Sequence, residues 1–307
     1  MSNFKIGIIG ASVTSCILGI YLKKRGHKAF LLEKGNKVGG AWEVDKLGSI
    51  FSNIVSPISN LEKKNFNKIL KFLKKFKIKF NKNFQKALFT KEIVNVQASD
   101  FRDFINFSKK KLTIKYKFKV KKIREEEQFV SVNDNIKFDY IFYPTNVYVP
   151  LIYILKNKKT LKISDKINVR IKSKHLRFFS KDLNVDEILY NEEGVGPLDR
   201  LQIFNDKNNI KIINGRIKMN WKKKENKKIL DGVKKALYID KIDSPKFSYY
   251  NSEKISKKNL INLIKNLKKS KRVMFINTNS ITEFVLENFI KTEKNILWKI
   301  FGKTIHS

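Results

Sequence analysis

A glycine turn and a later carboxylate near the N-terminus have the residue types and spacing to bind phosphate and ribose groups. Gly10 ends the apolar run 4–9, and small residues follow it as far as Ser15. A glycine permits a tight turn after a strand, and the N–H groups that begin the next helix attract phosphate. Glu33 follows about 20 residues later, where a carboxylate can accept hydrogen bonds from ribose hydroxyls. This spacing predicts a dinucleotide site.

The elements that must position these groups are predicted from the same stretch. The run 4–9 has the length of a strand, and the run 16–25 is helical in pattern and ends at Gly26. A second apolar run, 29–32, leads directly to Glu33. The predicted order is strand, turn, helix and strand, which directs the helix N-terminus and its dipole at a pyrophosphate.

A glycine pair, Gly39-Gly40, comes soon after Glu33, and Ala41 and Trp42 follow it. Together with the turn, this pair resembles the flavoprotein family that includes amine oxidases, phytoene desaturase-like enzymes and UDP-galactopyranose mutases. In that family the Gly-Gly loop lets backbone approach the FAD. The resemblance is specific over residues 4–42, weak over about 99–146 and only suggestive beyond.

Some positions depart from the family pattern. Gly-x-Gly-x-x-Gly reads Gly10-x-Ser12-x-x-Ser15 in this chain. A side chain at Ser12 takes up room beside the pyrophosphate, although its hydroxyl can bind a phosphate oxygen, and Ser15 is small enough for helix and strand to pack. The family's C-terminal Gly-Asp is replaced by Asn-Thr-Asn over 277–279, where the Asn277 amide can bind the ribityl chain.

The resemblance implies FAD as the cofactor and an amine-oxidase-like oxidoreductase that transfers hydride from a small organic substrate to the flavin. Two alternatives stay open: a sugar-nucleotide mutase-like flavoenzyme without net redox, and a non-catalytic Rossmann-type protein that has lost tight FAD binding. No catalytic side chain is assigned, because the cofactor carries the chemistry. The implied cofactor residues are Gly10, Ala11, Ser12, Ser15, Glu33, Lys34, Gly39, Gly40, Ala41, Trp42 and Asn277.

Hydrophobic periodicity predicts further elements along the chain. The pattern over 60–76 is that of a basic amphipathic helix, either packed on a substrate domain or facing a membrane surface or partner. The stretch 112–120 alternates as a strand with one buried face, and a turn at 133–135 separates the strands 128–132 and 136–143. Further strands are predicted at 167–171, 175–179, 210–216 and 272–276, and helices at 255–267 and 284–290.

The predicted fold is α/β, with a Rossmann-type FAD/NAD(P)-binding domain and a smaller α+β substrate domain. A chain of 307 residues is long enough for one or two domains. The cofactor domain is formed by the first, third and fifth chain segments, and the substrate domain by the second and fourth. These segments are 1–55, 56–97, 98–150, 151–267 and 268–307.

Scarce arginines indicate where a substrate binds. Lysine is the usual cation of this chain, so an arginine is more often kept for a geometric reason, such as a bidentate grip on carboxylate or phosphate. His175, Arg177, Arg200 and Arg216 are therefore candidate substrate residues, and a structural Arg–Asp pair is the alternative for each arginine. These residues favour a small-molecule substrate and suit an anionic one.

The formal net charge of +38 invites a nucleic-acid interpretation. Against it, lysine greatly outnumbers arginine, and the lysines are spread along the whole chain. Lysine, asparagine, isoleucine and phenylalanine also share A/T-rich codons, so genome composition explains much of the bias. We therefore predict a solvated basic surface and no specific nucleic-acid partner.

Cysteine and histidine usage argues against two kinds of site. The single Cys16 gives no disulfide framework, and three histidines, at 27, 175 and 306, are too scattered for a metal site. A reducing, cytoplasmic setting is therefore expected. Small residues of the turn interrupt the apolar run 6–22, and no other segment approaches the ~20 apolar residues of a transmembrane span.

Overall fold

The structure is a computed structural model. It describes residues 3–39, 52–54, 67–69, 71–76, 79–80, 85–89, 92–96, 98–100, 102–145, 147, 149–155, 159–162, 169–183, 189–191, 194–205, 210–254, 257–278 and 284–290. Within these ranges no helix is long and apolar enough to cross a membrane.

Strands outnumber helices in the described residues. The α-helices with described bounds are α1 (Val13–Lys24), α2 (Arg102–Lys111), α3 (Asn226–Leu237) and α4 (Lys257–Leu267), while Met219–Trp221 is a turn of 3₁₀-helix and Leu286–Ile290 is a π-helix. The strands are β1 (Lys5–Ile9), β2 (Lys28–Leu32), β3 (Ser52–Ile54), β4 (Lys79–Phe80), β5 (Gln85–Phe89), β6 (Glu92–Val96), β7 (Ala98–Asp100), β8 (Thr113–Lys115), β9 (Lys122–Glu125), β10 (Val130–Val132), β11 (Ile136–Phe138), β12 (Tyr140–Pro144), β13 (Leu151–Ile154), β14 (Lys159–Lys162), β15 (Val169–Ser180), β16 (Leu189–Asn191), β17 (Leu198–Asn205), β18 (Lys211–Ile217), β19 (Asp243–Lys254) and β20 (Val273–Ile276).

The N-terminal unit has the predicted strand, turn, helix and strand. β1 and β2 pair in parallel from Lys5 opposite Lys28 to Ile9 opposite Leu32, and α1 connects them. α1 is buried along most of its length, because it shares one apolar cluster with the sheet and with helical segments around Phe104 and Phe284.

Five parallel strands form the sheet that carries this unit, in the order β8, β2, β1, β12, β20. Parallel pairing requires crossover connections, and α1, α2 and α4 each precede a strand of the sheet. The carboxyl ends of all five strands therefore lie at one edge. In an open α/β sheet this edge is where ligands bind, at the point where the strand order reverses. The predicted α/β Rossmann-type fold is confirmed.

A second sheet has the order β11, β10, β9, β13, β14, and its first three strands form a meander. The β10–β11 hairpin has a three-residue loop, Asn133 to Asn135, between the paired residues Val132 and Ile136. Asn133 and Asp134 both have positive φ, and the N–H of Asn135 donates to the carbonyl of Val132 at 3.3 Å, as in a type I′ turn. The turn predicted at 133–135 is confirmed. The stretch 136–143 is not a single strand, because Asp139 separates β11 from β12, which belongs to the parallel sheet. The N–H of Asp139 donates to the carbonyl of Lys5 at 2.8 Å.

A third sheet has the order β19, β15, β18, β17, β16, β5, β6, and β3, β7 and β4 form a small separate sheet. α3 packs on the third sheet, where Ile229 and Val233 share a buried cluster with Leu176 and Phe178 of β15. The predicted strands 167–171 and 175–179 are parts of one long strand, β15. Sequence periodicity missed α3 and β19.

The alternating stretch 112–120 was predicted to be one strand, and this prediction is wrong. Only Thr113–Lys115 is a strand, and the chain then turns at Lys117, which has φ +53°. After the turn, Lys117 and Phe118 donate their N–H groups to the carbonyls of Gly35 and Glu33, both at 2.8 Å. These two hydrogen bonds to the residues after β2 take the place of the ladder bonds that a longer β8 would make.

Two segments that were predicted to belong to the substrate domain pack against elements of the predicted cofactor domain. β13 pairs in parallel with β9 and in antiparallel with β14, which brings 151–154 and 159–162 into the second sheet. Leu263 and Leu267 of α4 share a buried cluster with Ile152 and Val273. The division into five segments stays a prediction, and so does the predicted helix over 60–76 as a whole, of which the structure describes 67–69 and 71–76.

Candidate functional site

Gly10 forms the turn at the carboxyl end of β1. Its φ of +81° lies in the left-handed region, which glycine adopts without strain, and its N–H donates to the carbonyl of Leu32 at 2.8 Å. A side-chain carbon added at this position would lie 3.9 Å from Val147, an ordinary van der Waals distance. The glycine is therefore needed for the backbone conformation of the turn, and among the described residues none fills the space beside it.

Glu33 lies beside this turn, at the end of β2. Its Oε2 accepts the N–H of Ala11 at 2.8 Å, and its Oε1 accepts the N–H of Gly35 at 2.7 Å. A carboxylate has about four lone-pair positions, so these two bonds leave acceptor capacity for hydroxyl groups. The exposed side chain of Lys34 follows it. Glu33 thus has a structural contact in addition to the ribose role that the sequence predicts.

The first glycine of the Gly-Gly pair meets the same turn. Gly39 donates its N–H to the carbonyl of Ala11 at 2.7 Å, and Gly39 and Ser12 form an isolated parallel bridge. Ala11 is therefore the junction of the site, since its N–H reaches Glu33 and its carbonyl reaches Gly39. Gly40, Ala41 and Trp42 lie outside the described residues.

Ser12 is the N-cap of α1. Its Oγ accepts the N–H of Ser15 at 3.2 Å and lies 2.8 Å from Thr14 Oγ1 and 3.0 Å from Ser15 Oγ. Serine is a favoured N-cap because its hydroxyl satisfies a helix N–H that has no acceptor within the helix. The side chain that was expected to crowd the pyrophosphate is thus held against the first helical turn.

The donor set at the start of α1 fits a pyrophosphate. The N–H groups of Val13 and Thr14, at the first two helical positions, have no acceptor within the helix, and the helix dipole adds positive potential there. The hydroxyls of Ser12 and Thr14 lie in the same turn. Within the first turn of α1 there is no acidic residue to repel an anion.

Asn277 lies at the carboxyl end of β20, at the same edge of the sheet as Gly10. Its Oδ1 is 3.3 Å from Thr145 Oγ1, which donates to the carbonyl of Ile276 at 3.1 Å and accepts the N–H of Thr278 at 2.9 Å. Thr145 therefore joins the ends of β12 and β20 and holds the backbone before and after Asn277. Thr145 directly follows β12, which places it at the carboxyl end of a strand of the parallel sheet.

Cys16 lies behind the turn, fully buried in α1. Burial raises the pKa of its thiol to about 12, since a thiolate is poorly solvated in the protein interior. The thiol is therefore protonated at neutral pH and is neither a nucleophile nor a redox group of this site.

The candidate substrate residues lie along one face of the third sheet. Opposite residues on paired strands share a face, and His175 lies opposite Arg216, which in turn lies opposite Arg200 on β17. Arg177 follows two positions after His175 on β15 and so lies on the same face. The alternate residues, such as Leu176, face the cluster with α3. The backbone register thus brings these four positions into neighbouring places on the sheet, while their substrate role stays a prediction.

Arg216 makes an ion pair with Asp199. Its Nε–H donates to Asp199 Oδ1 at 2.7 Å, and the two side chains are 39% and 30% exposed. Asp199 is accessible to this bond because the register of β17 against β18 shifts between Leu198 and Arg200. The bond uses Nε and does not involve the two terminal nitrogens of the guanidinium. The Arg–Asp pair that the sequence offered as an alternative to substrate binding is therefore present at Arg216.

Comparisons with known proteins place the fold. No protein-family model matches the chain, and no curated protein matches its sequence. Among solved structures, a putative protoporphyrinogen oxidase from Exiguobacterium sp. 255-15 is similar, with a TM-score of 0.57 and 8% identity, covering 90% of this chain and 94% of that one. Wild-type putrescine oxidase bound to putrescine has a TM-score of 0.58 and 8% identity, covering 92% of this chain and 97% of that one.

Identities this low establish the architecture alone. The similarity extends over nearly the full length of both chains, which means that it includes the parallel sheet and the third sheet together. The β8, β2, β1, β12, β20 order and the glycine turn after β1 agree with it. This chain therefore has an α/β Rossmann-type FAD-binding fold.

Proposed function

We propose that this protein binds FAD at the β1–α1 turn and acts as an amine-oxidase-like, FAD-dependent oxidoreductase on a small organic substrate. The observation that carries the proposal is the junction at Ala11, where the glycine turn, the ribose carboxylate and the Gly-Gly loop meet. Ala11 donates to Glu33 at 2.8 Å and accepts from Gly39 at 2.7 Å. The turn and the carboxylate are 22 residues apart in the chain, and their meeting at Ala11 supports a nucleotide site.

Each part of the site has a role in holding the cofactor. The N–H groups of Val13 and Thr14 would bind the pyrophosphate, with the hydroxyl of Ser12 beside them, and Glu33 would accept the ribose hydroxyls. Asn277, held by Thr145, would bind the ribityl chain. Bound FAD supplies the hydride-accepting chemistry, and the protein supplies binding and orientation.

The absorption spectrum of the purified protein tests FAD binding. We expect a flavin spectrum in the protein as isolated or after incubation with FAD. Gly10→Val should abolish flavin binding, because valine cannot adopt the left-handed turn without strain and would fill the space beside the pyrophosphate.

Gly26→Val is the matched control. Gly26 has φ +85° and open space around it, so valine causes the same kind of backbone strain at a distance from the turn. Retention of full flavin content in folded Gly10→Val, or equal losses in both variants, would contradict the assignment. Complete lack of FAD binding by the wild-type protein would favour the non-catalytic alternative.

A mutase-like flavoenzyme is the second candidate function, and the row of cations on the third sheet favours it. His175, Arg216 and Arg200 are aligned across three neighbouring strands. Such a row suits a diphosphate, because guanidinium groups bind phosphate oxygens in a bidentate manner. The amine-oxidase-like function also permits an anionic substrate, so the row alone does not separate the two candidates.

Anaerobic titrations separate the two candidate functions. Bleaching of the flavin by an amine or another small organic substrate supports the oxidoreductase. UDP-sugar binding without bleaching of oxidised flavin supports the mutase-like enzyme.

A substitution at Arg216 tests its part in UDP-sugar binding. Arg216→Lys should then weaken UDP binding about tenfold, because lysine keeps the charge but loses the bidentate geometry. The control is Arg124→Lys, since Arg124 makes an ion pair with Glu126 and is 51% exposed. Equal UDP affinity in both variants would exclude Arg216 from a diphosphate site.

A further inference from the structure

A basic segment of the chain carries two projecting apolar side chains. Residues 218–246, called here the 218–246 surface, contain ten lysines and four carboxylates. Met219 is 78% exposed and Tyr238 is 94% exposed, which makes them the two most exposed large hydrophobic side chains in the described part of the chain. Elsewhere in the described residues the exposed large hydrophobic side chains are Ile261 and Tyr116, which are 57% and 40% exposed.

The 218–246 surface is one packed unit. A side-chain carbon at Gly232 of α3 would lie 2.8 Å from the ring of Trp221, so the turn Met219–Trp221 lies directly on the helix. The N–H of Lys218 donates to the carbonyl of Pro197 at 2.8 Å. The neighbouring Gly196 lies against Ala236 of α3. The positions of the turn and the helix end are therefore fixed relative to each other.

The two projecting side chains emerge beside the same loop, 195–197. Met219 follows Lys218 directly, and Tyr238 follows Ala236 by two positions. Tyr238 also lies six residues after Gly232, so the two residues are about 9 Å apart along the axis of α3. Both side chains therefore project from the same packed unit.

Tyr238 is held in a conformation that is unfavourable for its type. It caps α3 with φ 53° and ψ 45°, the left-handed region in which helix ends usually have glycine. A bulky residue in this region is strained. The side chain gains almost no burial in return, since it is nearly fully exposed. Strain combined with exposure points to a role for this tyrosine outside the chain's own packing.

Lysines surround the projecting side chains. Lys222 Nζ lies 2.9 Å from the Met219 sulfur, and Lys224 Nζ lies 4.1 Å from the centroid of the Trp221 ring. On α3, Ile229 and Val233 are buried in the core, while lysines occupy the outward positions 227, 228 and 235. Asp231 is also exposed on α3, so the surface of this helix carries more lysines than carboxylates and its net charge is positive.

We infer that the 218–246 surface docks on an anionic lipid membrane, with Met219 and Tyr238 entering the headgroup region and the lysines facing lipid phosphates. Tyrosine is favoured at this depth because its ring is apolar and its hydroxyl stays hydrated. Basic segments near a membrane are attracted to anionic lipids, and apolar side chains add the burial that charge alone does not supply. A nucleic acid would use the lysines but would leave the two apolar tips without a role.

Vesicle sedimentation with the full chain tests this surface. The probes are vesicles of phosphatidylcholine alone and of an equimolar mixture with phosphatidylglycerol, at physiological salt. We expect binding to the mixed vesicles and much weaker binding to phosphatidylcholine. The double variant Met219→Ser, Tyr238→Ser should bind the mixed vesicles at least about tenfold more weakly, because it loses the apolar anchors and keeps every lysine.

Ile261→Ser is the matched control, since Ile261 is a 57% exposed apolar residue on α4, outside this surface. It should bind like the wild type. The inference is overturned if the protein ignores mixed vesicles, if the double variant binds like the wild type, or if the control loses as much affinity. If the double variant does not fold, Tyr238→Trp should show more fluorescence quenching by brominated lipids than the wild type, whose three tryptophans set the baseline. Equal quenching of the two proteins overturns the inference.

Discussion

Glu33 connects the glycine turn to the end of β2 through both of its carboxylate oxygens. From its position in the sequence alone, Glu33→Ala is expected to weaken FAD binding and leave the stability of the flavin-free protein nearly unchanged. The structure changes the second expectation, because the carboxylate also accepts the N–H groups of Ala11 and Gly35, at 2.8 Å and 2.7 Å. Glu33 therefore shapes the site before any ligand arrives.

We predict that Glu33→Ala lowers the free energy of unfolding of the flavin-free protein by about 1.5–3 kcal/mol, the range for a hydrogen bond to a charged group. It should also weaken FAD binding about tenfold or more, which corresponds to about 1.4 kcal/mol. Denaturant unfolding and FAD titration measure the two effects. Asp231→Ala, at an exposed position on α3, is the control and should change neither quantity. An unchanged free energy of unfolding in Glu33→Ala would show that the hydrogen bonds from Ala11 and Gly35 contribute nothing to stability.

Three elements are joined at a single buried carboxylate, Glu125 of β9, which is 2% exposed. Its Oε1 accepts Ser270 Oγ–H and the N–H groups of Lys271 and Arg272, at 2.7 to 3.0 Å. Its Oε2 accepts the N–H of Leu155 at 3.1 Å. The second sheet is thereby attached to the turn between α4 and β20. That turn fixes the start of β20, and Asn277 directly follows the end of this strand.

We predict that Glu125→Ala lowers the free energy of unfolding by about 3 kcal/mol or more, because it leaves several buried donors without an acceptor. Glu126→Ala is a matched control on the next residue. Glu126 pairs with Arg124 at 3.0 Å near the surface, where an ion pair contributes about 0–1 kcal/mol. Denaturant unfolding of both variants measures the difference. Equal losses of unfolding free energy in the two variants would mean that the buried hydrogen bonds of Glu125 contribute no more to stability than the surface ion pair of Glu126.

The net charge of +38 acts at the scale of the whole molecule. A positive field attracts anions of many kinds, but binding that rests on phosphate contacts alone falls steeply as salt rises. We predict that a random DNA duplex binds weakly at low salt, without sequence preference, and is lost near ~200 mM salt. Fluorescence anisotropy over a salt series measures this loss. Tight binding that persists at that salt would contradict the absence of a specific nucleic-acid partner.

The sequence by itself determined the N-terminal unit, because the signals of that unit are local. The apolar run before Gly10, the helical run to Gly26 and the strand before Glu33 are adjacent along the chain, and each fixes its own backbone conformation. The strand–turn–helix–strand order and the Rossmann-type class follow from them. The hairpin at Asn133 is likewise local, since turn residues fix its register.

Only the tertiary structure decided which distant residues meet. The bonds of Ala11 to Glu33 and Gly39, the row of His175, Arg216 and Arg200, and the anchoring of 270–272 by Glu125 all join residues that are far apart in the chain. Glu125 lies in a run of charged residues that resembles a solvated surface. Hydrophobic periodicity along the sequence indicates which face of a helix or strand is buried. It does not indicate which other strands that element lies beside, because strand pairing decides this. That pairing depends on the packing of the whole chain, which no local pattern encodes.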